Sequence, residues 1–166
     1  ALALSRHKGG CLGLGGLQSI SEEAVIHLSA HESLRLSLPT ITPKAARALS
    51  LREHQIELRE MEELTHELAI ALGSCGGSLL LNSIKSEHGL AELLKHRPEG
   101  QWTHLNGLES VSDELATAIG QAKCWVRLAE GSKISPDAAQ RLLSCRNGDV
   151  YKGWKWLRKV AKTAPN

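Results

Sequence analysis

The chain contains no phenylalanine, one tyrosine and one methionine. A core without large rings has to be built from Leu, Ile, Val and Ala, which suits thin stacked layers. No run of about eighteen apolar residues occurs, so no segment reads as a membrane-spanning helix. Neither sign of charge prevails: 20 Lys and Arg face 18 Asp and Glu, for a net charge of +2. That balance makes no global electrostatic case for nucleic acid. The four cysteines, Cys11, Cys75, Cys124 and Cys145, contain no C-x-x-C pair, which argues against a zinc knuckle. Phosphate-loop, nucleophile-elbow and H-E-x-x-H patterns are also missing. The expectation is a protein that is not an enzyme and has no cofactor or metal.

What the chain does have is an internal repeat. In Cys11–Ser33, Leu12 and Leu14 alternate around Gly13, the two-residue period of a strand. Leu17 and Ile20 follow across a turn, and Ala24 and Leu28 share one face of a helix. The series returns as Leu34, Leu36, Leu38, Ile41, Ala45 and Leu49, and then as Ile56, Leu58, Met61, Leu64, Leu68 and Leu72. Leu79, Leu81, Ile84, Leu90 and Leu94 form a fourth series. Thr103, Leu105, Leu108, Val111, Leu115 and Ile119 form a fifth, and Val126, Leu128, Ile134, Ala138 and Leu142 a sixth. A period of about 23 residues is the signature of a solenoid. Helix starts recur with it. Ser21, Thr42, Thr65, Ser112 and Ser135 occupy N-cap positions, with Pro43 and Pro136 just inside two of them. Acidic residues such as Glu22, Glu67 and Asp113 fill first turns, where the helix dipole favours them.

The pattern L-x-L-x-x-[LIM]-x-x-[IVL]-[ST], followed by a helix with A-x-x-x-L, resembles the leucine-rich repeat family. Gly16-Leu17-Gln18-Ser19-Ile20-Ser21 and Gly107-Leu108-Glu109-Ser110-Val111-Ser112 are similar to the core of a short bacterial variety. The family's asparagine position is occupied here by Leu17, Leu38, Met61, Ile84, Leu108 and Gly131, so apolar contacts have to hold that corner. The resemblance implies an α/β fold: a curved solenoid, with short parallel strands on the concave side, helices on the convex side and a C-terminal capping helix. It also implies a binding scaffold.

Residues 1–149 read as this solenoid, with a partial coil at 1–10 and about six coils after it. Leu4-Ser5-Arg6-His7 matches Leu28-Ser29-Ala30-His31, as expected of a fragment of a longer array or of a truncated cap. Coil four is irregular: Leu80 adds a leucine to the alternate face, and Ser86-Glu87-His88-Gly89 blurs the helix start. Arg97-Pro98-Glu99-Gly100 reads as the turn that ends its helix, and Arg146-Asn147-Gly148 as the stop of coil six. Residues 150–166 break the repeat. Tyr151, Trp154, Leu157 and Val160 or Ala161 recur at helical spacing among Lys152, Lys155, Arg158, Lys159 and Lys162. They read as a cap over the last coil or as a basic tail.

His7, His31, His54 and His96 recur at helix ends, with Cys75 and Cys145 at the same place in two other coils. A line of side chains is not a converging ligand set, so contact with free helix carbonyls is the favoured reading. Cys124 and Cys145 fall near neighbouring coil ends, and reduced, partly buried thiols are expected there. Such thiols point to the cytoplasm. The candidate site is the inner, concave face of the strands: Gly13, Arg35, Glu57, Leu80, His104 and Arg127, with Gln55, Ser78, Trp102 and Trp125 just before strands and Ser37, Arg59, Asn82 and Asn106 just after them. The tryptophans are either exposed there or packed into coil corners. The functional expectation is a scaffold that binds another protein through Arg35, Glu57, Arg59, Leu80, Trp102, His104, Trp125 and Arg127. The alternatives are a structural or assembly segment of a longer chain, and a nucleic-acid or anionic-surface binder acting through the basic C-terminal helix.

Overall fold

A computed structural model of the chain describes residues 10–28, 31–144 and 154–163. His7, Cys145, the 146–148 stop, Tyr151, the Trp154 side chain and the partial coil up to Gly9 lie outside the described residues. The elements run β1 (Cys11–Leu14), α1 (Glu22–His27), β2 (Ser33–Ser37), α2 (Pro43–Ser50), β3 (Gln55–Arg59), α3 (His66–Gly73), β4 (Leu79–Leu80) and α4 (Leu90–His96). They continue as β5 (Trp102–Leu105), β6 (Ser110–Val111), α5 (Asp113–Gln121), β7 (Trp125–Leu128), β8 (Lys133–Ile134), α6 (Pro136–Ser144) and α7 (Trp154–Ala161). The fold is α/β, with strands and helices alternating along the chain. Its main sheet is parallel, in the order β1-β2-β3-β4-β5-β7, so strands neighbouring in sequence are neighbours in space.

The register reproduces the spacing of the sequence. Leu12 pairs with Leu34, Leu34 with Ile56, Ile56 with Leu79, Leu79 with Thr103, and Thr103 with Val126. All are buried, and the apolar ones share one core cluster with helix residues such as Val25, Leu49, Leu72, Leu94 and Ile119. Thr103 is the polar member of this row, and its hydroxyl accepts from Arg97 Nε at 2.9 Å. The corner that carries asparagine in the leucine-rich repeat pattern is apolar: Leu38, Met61, Ile84 and Leu108 are buried there. Beyond the main sheet, β6 and β8 form a short parallel pair, Ser110 with Lys133 and Val111 with Ile134. The leucine spacing gave no sign of it.

The N-caps fall where the Ser and Thr pattern puts them. Ser21, Thr42, Thr65, Ser112 and Ser135 accept from the backbone N–H of Ala24, Ala45, Leu68, Leu115 and Ala138. Helix α4 is the exception. Gly89 precedes it at φ 78° without a side-chain cap, and a Cβ there would lie 2.4 Å from the Leu64 carbonyl oxygen. Only glycine meets both conditions. Helix α7 packs against α6, with Leu157 buried and Trp156, Val160 and Ala161 half-buried against the core. Lys155, Arg158, Lys159 and Lys162 are exposed. No described helix is long and apolar enough to cross a membrane.

Candidate functional site

Alternation places the other row of strand residues on the open face of the sheet. Gly13, Arg35, Glu57, Leu80, His104 and Arg127 are paired in register, one per strand. Trp102 pairs with Trp125 at the starts of β5 and β7. Ser37 pairs with Arg59 at the ends of β2 and β3. All eight candidate residues therefore lie on this face, in two groups.

The first group is a charge cluster. The Glu57 carboxylate meets Arg35 Nε at 3.1 Å through Oε2 and Arg59 Nε at 2.8 Å through Oε1. Glu57 is thereby enclosed, at 8% exposure, although it projects from the outward row. Arg35 and Arg59 stay exposed. The hydrogen bond to Glu57, and then its charge, raise the Arg59 pKa. Glu57 thus serves to hold two guanidiniums rather than to offer a free carboxylate.

The second group is aromatic. The Trp102 and Trp125 rings meet edge to face, with centroids 4.8 Å apart and planes at 71°. Trp102 meets His104 in the same manner at 5.9 Å. Trp125 is 37% exposed, while Trp102, His104, Arg127 and Leu80 are half-buried. The tryptophans thus pack on each other at the surface. Partial burial, and secondarily the charge of Arg127, lower the His104 pKa. At one edge of this group, Asn106 Nδ2 donates to Asn82 Oδ1 at 2.9 Å, joining two of the positions that follow the strands on this face.

The histidine line does not assemble. His31 is buried, His54 is exposed, and His96 pairs with Glu92 on its own helix at 3.0 Å. Among the described residues, no three His, Cys, Asp or Glu side chains converge to hold a metal. Arginine occupies the interior at these loops instead. Arg52 donates from Nη1 to the Leu28 carbonyl at 2.8 Å and from Nη2 to that of His31. Arg97 donates to the carbonyls of Cys75 at 2.5 Å, Gly77 at 2.7 Å and Trp102 at 3.1 Å, besides the Thr103 hydroxyl. Burial lowers the pKa of both. In sequence Arg97 reads as part of the turn that ends a helix, and Arg52 is not singled out. Their one signal was placement directly after a helix in alternate repeats. Cys75 and Cys124 are free and buried, and Cys11 is free and exposed.

With this geometry in hand, comparison with known proteins adds no identity: neither a scan against protein-family models nor a search of curated proteins gave a match.

Proposed function

We propose that the chain is a leucine-rich-repeat solenoid that serves as a non-enzymatic scaffold, binding another protein through the open, concave face of its parallel sheet. Sequential strand order, a repeating apolar row and five side-chain N-caps support the repeat reading. Strands spaced at about 4.8 Å against helices needing about 8–10 Å would bend such an array towards its strands. The observation that carries the binding reading is the Trp102–Trp125 pair, standing partly exposed beside Arg127. Tryptophan and arginine together are what binding hot spots are enriched in. Large planar rings offer apolar area and have few torsions to immobilise.

The test is a Trp125→Ala, Arg127→Ala double variant of the full chain. Its unfolding transition should match that of the parent, and its affinity for a captured protein partner should fall by about tenfold or more. Unchanged affinity in a folded double variant would move the site elsewhere. The next surface to examine would then be α7, where Lys155, Arg158, Lys159 and Lys162 are exposed together. Binding through that helix would weaken steeply with salt.

A further inference from the structure

The open face carries more than a general stickiness, because its charges and its rings are separated and ordered. Three guanidiniums, those of Arg35, Arg59 and Arg127, share it with one strand carboxylate, Glu57. That carboxylate is already taken. It binds both neighbouring arginines through their Nε atoms, while those side chains remain 48% and 50% exposed. A guanidinium has five N–H donors, more than one shared carboxylate can occupy. The cluster is therefore a pair of oriented forks with donors to spare, suited to a planar oxyanion. The apolar shelf of Trp102 and Trp125 lies on β5 and β7. From Arg59, at the end of β3, to the tryptophans at the starts of β5 and β7 is two to three strand spacings across and four residues along, about 16–20 Å on the diagonal, which about five to six residues of extended polypeptide cover.

Resting on the reading that this face binds protein, we infer that its ligand is an acidic, extended segment of the partner. It would cross the strands obliquely with a carboxylate on the Arg35–Arg59 forks and an apolar side chain, about five to six residues away, on the tryptophan shelf. Nucleic acid fits less well. The two rings stand edge to face and so cover part of each other, whereas a stacked base needs an open ring face. The positive charge is also local and partly offset by Glu57, where a phosphate backbone rewards an extended basic track.

The experiment selects random short peptides displayed on phage against the immobilised full chain, then measures winners by Trp fluorescence or calorimetry. Enriched peptides should carry Asp or Glu about five to six positions from a large apolar residue. Replacing that acid by its amide should cost about tenfold or more in affinity, as loss of a charge-assisted contact does. Arg35→Gln and Arg59→Gln, made singly so that Glu57 keeps one partner, should weaken the acidic peptide and leave its amide form unchanged. Each variant is checked by its thermal transition. No enrichment, or enrichment without acids, overturns the inference. So does equal affinity for the acid and amide forms. If non-acidic winners still lose affinity in Trp125→Ala, the open-face reading survives and only the ligand class is wrong. If winners bind Trp125→Ala, Arg127→Ala as they bind the parent, the face itself is wrong. Loss of binding to oligonucleotides, rather than peptides, on Arg59→Gln would reassign the forks to phosphate.

Discussion

Arg97 sits where the sequence suggests a solvated turn, yet it is almost fully buried and holds three carbonyls and a hydroxyl. The reason lies in the backbone. The carbonyls of Cys75, Gly77 and Trp102 converge on the buried guanidinium, and a buried acceptor left unmade costs about 1–3 kcal/mol. One guanidinium satisfies several at once because its donors are fixed in a plane. Arg97→Ala should therefore lower unfolding stability by about 3 kcal/mol or more, since several buried acceptors lose their donor at once. Arg97→Lys should fare little better, since an ammonium cannot span the four acceptors. A denaturant titration in which the lysine variant matches the parent would contradict this account. His104 gives a prediction of another kind. Its folded pKa lies below the usual histidine value, first because of burial and then because of Arg127. The unfolded chain thus takes up the proton first as pH falls, and folding loses stability from about pH 6.5 downward until the folded pKa is passed. His104→Gln should flatten that part of the stability curve, as measured by melting temperature across pH. Single residues of this kind were only half legible in sequence. The outward row from Gly13 to Arg127 could be read because side chains alternate, but the pairing of Glu57 with two arginines needed coordinates. The burial of Arg52 and Arg97 was invisible, because burial of a charge depends on which carbonyls surround it.

Helix starts were the most legible elements, since a hydroxyl followed by acids or proline has a local cause that survives any tertiary context. The start of α4 was correspondingly blurred, and there the cap is absent. What Ser86-Glu87-His88-Gly89 does instead shows only in three dimensions. Glu87 reaches the next unit, where Ser112 donates to it from its backbone N–H at 2.7 Å and from its hydroxyl. Ser135 likewise donates its hydroxyl to Asp113 at 2.7 Å. Ser112 thus accepts from Leu115 N–H at 3.1 Å and at the same time ties α5 to the preceding segment. Ser21 has a cap bond alone at 3.2 Å, on an exposed start. Ser112→Ala should cost about 2 kcal/mol and Ser21→Ala about 0.5–1 kcal/mol, from the usual range for lost caps. Equal losses by chemical denaturation would mean that the Glu87 link contributes nothing. The pair β6 and β8 was missed because two-residue strands leave no periodicity to read.

At the scale of the whole molecule, strand order and register were readable because each unit repeats its neighbour, so one correct assignment fixed the others. The joints between units were not readable, and they are unequal. Arg52 clamps the loop before β3 to carbonyls in the segment before β2, and Arg97 clamps the loop before β5 to those before β4. The joint between these two has Cys75 Sγ near the Arg52 carbonyl at 3.8 Å, and the one after Arg97 has the Thr103 hydroxyl near Cys124 Sγ at 3.8 Å. Sulfur is a weak donor and a weak acceptor. Guanidinium and sulfur contacts thus alternate at the strand entries, and the two sulfur joints differ in what backs them. The one from β5 to β7 is braced by the β6–β8 pair and by the Ser135 hydroxyl on Asp113. The one from β3 to β4 rests on two register pairs, the Glu60 N–H on the Ser83 hydroxyl and an exposed Lys85–Glu62 ion pair, and exposed ion pairs contribute little. Under a load applied at the two ends, the sheet should tear like perforated card, first between β3 and β4. A disulfide engineered across that joint at the register pair Glu57 and Leu80 should raise the force of the first rupture in optical tweezers, and an unchanged force would show that the tear starts elsewhere.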